Sequence, residues 1–304
     1  MILFLEQLLN GLQYGVMLFL LAAGLTLTFG IMGVINLAHG ALYMVGAYVG
    51  TLVALQTGSF WIGLPAGLVA AAITGLVIEA VVIRRLYARD HLDQVLATFA
   101  LILIFNEIVV ITVGRQPVFT ALPEAFSHTV ELIPGLLYPT YRLLIIAAGL
   151  LVALGLWLLI NRTRVGMLVR AGASNREMVR ALGVDIRMLY TVVFGLGALL
   201  AGFAGYMAGP ITAVQVGMGE QILLATFVVV VVGGVGSIKG AFVAGLMLGV
   251  IDTMLRAFLP TVLRGVMPAS EADALGIGIA SMGIYLMMAL VLLIRPRGLF
   301  AARG

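Results

Sequence analysis

The chain has 304 residues, 62% of them hydrophobic and only 10% charged, with a formal net charge of +4. Soluble domains carry about 25% charged residues, so a soluble globular protein is excluded and a membrane-embedded one is indicated. Cysteine is absent, which excludes a disulfide framework and thiolate metal sites. The basic residues lie in short stretches between apolar runs, a pattern of membrane topology rather than of nucleic-acid binding.

In chain order, the first apolar run lacks a basic leader and is interrupted by Glu6, Gln7, Asn10 and Gln13, so it reads as a span rather than a cleaved signal peptide. A membrane-crossing helix needs about 20 mainly apolar residues. Candidates fall at 11–31, 41–57, 61–83, 95–113, 142–160, 188–208, 222–236, 241–259 and 275–294. Several are short enough to be re-entrant or broken, so either eight or nine crossings fits. The expected fold class is an all-α, polytopic transmembrane helix bundle. It forms one domain over 1–304, with a cytoplasmic loop at 162–187. No stretch outside the spans is long enough for a separate nucleotidase or solute-binding domain.

Arg84, Arg85 and Arg89 follow the third span. Arg162, Arg164, Arg170, Arg176, Arg180 and Arg187 fill the loop after the fifth, and Arg295, Arg297 and Arg303 form the tail. Short loops rich in arginine and lysine stay in the cytoplasm. Alternation then places 114–141, 209–221, 260–274 and the N-terminus outside, and the C-terminus inside. The proline-punctuated stretch 114–141 is suited to an irregular cap.

Enzyme motifs fail on inspection. Gly233 to Gly240 reads GGVGSIKG, but a phosphate-binding loop needs glycine directly before the lysine and a hydroxyl after it, whereas Ile238 and Gly240 flank Lys239. His39, His91 and His128 have no H-E-x-x-H spacing, and no G-x-S-x-G elbow occurs.

The Asn161–Arg187 segment, NRTRVGMLVRAGASNREMVRALGVDIR, carries six arginines. Ser174 and Glu177 form an S-x-x-E capping box, in which each side chain satisfies a backbone N–H at a helix start. The expected helix runs over 175–182, with Gly183 as its left-handed terminator and Met178, Val179 and Leu182 as an apolar ridge. Such a helix either lies on lipid phosphate or docks on a partner. The compact capping and the flanking Gly172 and Gly183 favour a coupling helix that fits a groove on an ATPase subunit.

Two intramembrane sites interrupt the apolar pattern. Gly33 to Gly46 reads GVINLAHGALYMVG, where Asn36 and His39 break the run and Gly30, Gly33 and Gly40 permit a broken helix. Freed backbone groups at such a break recognise polar solutes, although interhelical hydrogen bonds account for the same residues equally well. The second is GGVGSIKGAFVAGLMLG at 233–249, where Lys239-Gly240-Ala241 echoes His39-Gly40-Ala41 and Ser237 stands in for Asn36 as a short internal repeat. Among the carboxylates, Glu107 beside Asn106 is expected to be the most buried, whereas Glu79 near the arginines and Asp252 four residues before Arg256 read as structural ion pairs. The expected pathway residues are therefore Asn36, His39, Gly40, Glu107 and Ser237.

GLTLTFGIMGVINLAHGALYMVGAY, GASNREMVRALGVDIRMLYTVVFGLGALLAGFAG, GGVGSIKGAFVAG and the terminal RPRGLF, in that order from about residue 11 to residue 300, resemble the integral-membrane permeases of branched-chain amino acid ABC transporters. The resemblance implies a subunit of an inner-membrane importer working by alternating access. Its expected partners are a second, homologous or identical permease, two ATP-binding cassette subunits inside and an extracytoplasmic solute-binding protein. ATP and magnesium would be bound by the cassettes, with no cofactor in this chain and no nucleic-acid partner. The coupling motif matches 173–183, with Ser174, Arg176, Glu177, Arg180 and Gly183 as the coupling residues, and the first signature matches Asn36, His39 and Gly40. Lys239 departs from the family pattern. Related permeases carry amides, urea or other small solutes, and a stand-alone carrier or channel is the rival reading.

Overall fold

The computed structural model describes residues 1–300. Residues 301–304, which include Arg303, and the side chain of Arg176 lie outside the described residues. Helix α1 spans Ile2–Met32, α2 His39–Thr57, and α3 Phe60–Leu86 with a π-helical turn at Glu79–Ile83. Helix α4 spans His91–Thr112 and α5 Thr140–Arg162. Two shorter helices follow, α6 Arg164–Ser174 and α7 Arg176–Ala181. Helices α8 Ile186–Ala208, α9 Met218–Gly233, α10 Ile238–Leu263 and α11 Ala269–Ile294 complete the bundle. Among the described residues, eight helices are long and apolar enough to cross a membrane, and α9 is a ninth, shorter apolar helix. The all-α polytopic bundle is as the sequence indicates.

Helix α1 is the axis, enclosed by α5, α8, α9 and α10. Between helices already in lipid there is little hydrophobic gain from further association, so close van der Waals packing through small residues holds them together. Two G-x-x-x-G pairs do this for α1 and α10. A Cβ on Gly11 would come within 2.6 Å of the Val250 Cα, and one on Gly15 within 2.7 Å of the Gly245 carbonyl oxygen. Gly249 packs against Gly15 in return. The second packed unit is α2 with α3 and α8, centred on Gly46, Gly67 and Gly202.

The stretch after α4 is more ordered than an irregular cap. Strands β1 (Thr129–Ile133) and β2 (Leu136–Pro139) form an antiparallel hairpin, with Val130 opposite Tyr138. Gly135 supplies a positive φ of 87° at the turn, and its N–H donates to Glu131 Oε1 at 2.8 Å. Tyr138 is fully buried and donates to Asn10 Oδ1 at 3.1 Å, which lays the hairpin over the start of α1. The other end of α1 reaches Gly172 of α6 through Ile31. The bundle therefore has a hairpin face and an arginine-rich face.

Candidate functional site

Helix α1 stops at Gly33, whose φ of 68° is the left-handed geometry that glycine adopts without penalty, and its N–H donates to Phe29 O at 2.9 Å. Residues 33–38 then run back into the bundle without helical hydrogen bonds, as Gly33 and Asn36 suggest. Exposed backbone amides inside a membrane must find partners. Two side chains one turn apart on α4 supply them: Gln94 Oε1 accepts from the Ile35 N–H at 3.3 Å and Thr98 Oγ1 from the Leu37 N–H at 3.1 Å. Sequence reasoning missed both. Their signal was the i, i+4 spacing of two polar residues in an apolar helix.

Helix α2 therefore begins inside the bundle. A Cβ on Gly24 would come within 2.8 Å of the His39 ring and 2.9 Å of the Gly197 carbonyl oxygen, and Gly197 is central in the 23-residue α8. The His39 ring, fully enclosed, donates from Nε2 to Leu21 O at 3.2 Å. Asn36 is 0% exposed, and neither atom of its amide has a hydrogen-bond partner among the described residues. Orphaned amides of this kind are rare in protein interiors.

A second break mirrors the first. After α8 the chain turns back through 209–217 and starts α9 at Gly217, whose φ is 85°. The two interior starts meet where a Cβ on Gly40 would lie 2.6 Å from the Gly219 carbonyl oxygen. Asn106 of α4 pins this junction by accepting from the Gly217 N–H at 3.4 Å and donating to Glu220 Oε1. Glu107 is a correction: it is exposed, pointing away from the junction that Asn106 holds. The apolar residues of α4 are spread evenly around it, so its buried phase was not legible from hydrophobicity.

Ser237 lies in neither break. It caps α10, its Oγ accepting from the Gly240 N–H at 3.0 Å. Two glycines with positive φ, Gly234 at 100° and Gly236 at 81°, shape this turn. The turn packs on the end of α1, since a Cβ on Gly30 would meet the Gly236 Cα at 2.6 Å. The chain end returns here, with Leu299 N–H donating to Val232 O at 2.8 Å and Phe300 N–H to Gly233 O at 3.0 Å.

On the arginine-rich face the capping residue is Asn175, not Ser174. Asn175 is extended, with φ −153° and ψ 94°, and its Oδ1 accepts from the Met178 N–H at 2.9 Å. Ser174 is consumed as the last residue of α6, and asparagine caps as well as serine does. Gly183 terminates α7 at φ 84° as expected. The apolar ridge divides: Val179 is buried, whereas Met178 and Leu182 are 58% and 76% exposed. Glu177 and Arg180 are exposed beside them, and Arg176 opens the helix with its side chain outside the described residues. A groove of about 680 Å³ separates Glu177 and Arg180 from Tyr87 and Tyr190.

Behind that groove is Glu79, 0% exposed. Its carboxylate accepts from Arg84 Nη2 at 2.9 Å, Tyr87 OH at 2.5 Å and Thr191 Oγ1 at 3.0 Å. Burial and the bond to Glu79 push the Tyr87 phenol's ionisation upward, so it stays a donor at neutral pH. The ion-pair readings of Glu79 and Asp252 agree with the geometry, since Arg256 Nε lies 2.7 Å from Asp252 Oδ2.

Helices that begin in the middle of a membrane bundle, with their N-terminal turns in contact, are the architecture of a membrane transport protein. Residues 7–294 match the model of the branched-chain amino acid transport system permease component, and the chain belongs to that family. It is 30% identical over 308 residues to the high-affinity branched-chain amino acid transport system permease protein BraD of Pseudomonas aeruginosa, covering 97% of this chain and 95% of that one. Similarity to the LivH permease protein of the same kind from Escherichia coli strain K12 is 29% over 314 residues, again 97% and 95% of the two chains. The ribose import permease protein RbsC of E. coli strain K12 is more distant, at 24% over 266 residues, 82% of this chain and 78% of that one.

Proposed function

We propose that this permease takes branched-chain amino acids, or small polar solutes like them, into the cell as one subunit of an ATP-driven inner-membrane importer. The amino-acid reading draws on the relatives that align end to end; the sugar permease aligns over less of its length and at lower identity. The arginine-rich face lies in the cytoplasm with the C-terminus, and the hairpin face lies outside with the N-terminus, as the positive-inside rule directs. A solute-binding protein docks on the hairpin face. ATP-binding cassette subunits, which bind ATP and magnesium, dock on α6 and α7.

The observation that carries the reading is α7 itself. A six-residue helix cannot hold its shape by propensity. It is fixed by the Asn175 cap, the Gly183 stop and one buried side chain, Val179, yet it leaves Met178 and Leu182 bare beside Glu177 and Arg180. Exposed apolar side chains rimmed by charge mark a protein-docking surface. Closure of the cassettes moves α7, and α8 carries the motion into the bundle, alternating access at the junction of α2 and α9.

A second permease covers the exposed face of α4. Glu107 on that face then borders the path between the two permeases instead of meeting lipid, where a carboxylate costs about 2.5 kcal/mol or more. Asn36, His39 and Gly40 act on the inner side of the same path.

The test is uptake and ATP hydrolysis by the reconstituted complex carrying Arg176→Glu with Glu177→Lys. Hydrolysis without uptake supports the docking role, and normal uptake removes it. Proton-driven flux by this chain alone would establish the stand-alone carrier instead.

A further inference from the structure

One cavity lies neither at the junction of the broken helices nor beside α7. It is a groove of about 950 Å³ between α5 and α10, floored by α1 and closed at one end by α6. Its walls run from Phe19 to Ile31 on α1 and from Leu150 to Asn161 on α5. At 1.5 Å per residue these are about 17–18 Å long, close to one leaflet of a hydrocarbon core about 30 Å thick.

Polarity is segregated along it. The mid-bundle end is lined by Phe19, Leu150 and Phe242, and Trp157 stands further along. The end on the arginine-rich face carries Arg170 and Lys239. Lys239 is exposed and makes no hydrogen bond or ion pair among the described residues. Leu150, Leu154 and Val243 are exposed at the side opening, where the surrounding medium at that depth is acyl chain.

We propose that this groove is a binding site for an anionic phospholipid of the leaflet on the arginine-rich side. One acyl chain lies along α1 and the phosphate is met by Lys239 and Arg170. A leaflet-long apolar slot with cations only at its interfacial end complements that one class of ligand in both length and charge. The inference rests on the chain spanning a membrane, not on what the chain transports.

The chain has two tryptophans, Trp61 and Trp157, so Trp61→Phe leaves the groove residue as the only indole. The full chain carrying that substitution is placed in phosphatidylcholine nanodiscs containing a small fraction of brominated-chain phosphatidylglycerol or, separately, brominated-chain phosphatidylcholine. Trp157 fluorescence is expected to be quenched preferentially by the anionic lipid. Lys239→Gln should weaken that preference about fivefold, and Lys239→Glu should abolish it. Equal quenching by both lipids would show ordinary boundary lipid and overturn the proposal. So would a preference that survives both substitutions, or no quenching by either lipid because protein fills the groove.

Discussion

Thr191 Oγ1 donates to Glu79 Oε2 at 3.0 Å, joining the start of α8 to the end of α3. The same carboxylate holds Tyr87 and Arg84, so three side chains converge on one buried charge. Removing one partner of such a group leaves the rest unpaired, which is where the cost arises. Glu79→Ala is expected to destabilise by about 3 kcal/mol, the low end for a buried pair because Arg84 reaches water. Thr191→Val should cost about 1.5 kcal/mol. Thermal unfolding of the purified protein in detergent reads both. If Glu79→Ala unfolds at the wild-type temperature, the junction contributes nothing.

Gly40 and Gly219 leave no room for a methyl group where α2 meets α9. Gly40→Ala is expected to cost about 1–3 kcal/mol and to reduce uptake, because backbone rather than a movable side chain is in the way. Gly155→Ala in α5 is the control. Nothing lies within 4 Å of its added carbon, and alanine is favoured in a helix by about 1 kcal/mol. Uptake by the two variants should separate cleanly, and equal uptake would refute the close approach.

The cap assignment at α7 gives a sharp contrast. Asn175→Ala should destabilise the helix by about 1 kcal/mol, and Ser174→Ala should leave it nearly unchanged. Amide exchange across 176–181 measures this directly, with faster exchange expected only in the Asn175 variant. The opposite order would restore Ser174 as the cap.

Because the chain has no cysteine, single cysteines report sidedness without background. A cysteine at Arg89 should react with a membrane-impermeant maleimide only after the cells are opened, and one at Val130 in the hairpin should react in intact cells. Reversed labelling would invert the proposed orientation.

Glu107→Gln should lower uptake while leaving insertion and subunit assembly intact. Undiminished uptake would return Glu107 to a passive surface position.

The spans, the break after Gly33 and the left-handed stop at Gly183 were all legible in the sequence, because each depends on local composition or on one residue's backbone preference. What was lost depended on neighbours. Glu107 and Asn106 are adjacent in an evenly apolar helix, and only packing decides that Asn106 turns inward. Ser174 and Asn175 are both good caps, and the choice follows from how far α6 extends. The chain reversal at 209–217 left only a shortened apolar run as its trace. The β-hairpin hid among prolines, with Gly135 and the alternation in β2 as its faint signals.

The return of Leu299 and Phe300 to Val232 and Gly233 also orders events during biosynthesis. The carbonyls at the end of α9 are produced long before their amide donors, and both α10 and α11 must be threaded in the interval. Until residue 300 leaves the ribosome, the inner end of α9 is open. Closing it therefore waits until both later helices have been made, and a ribosome stalled before Leu299 leaves a product that is inserted but not latched.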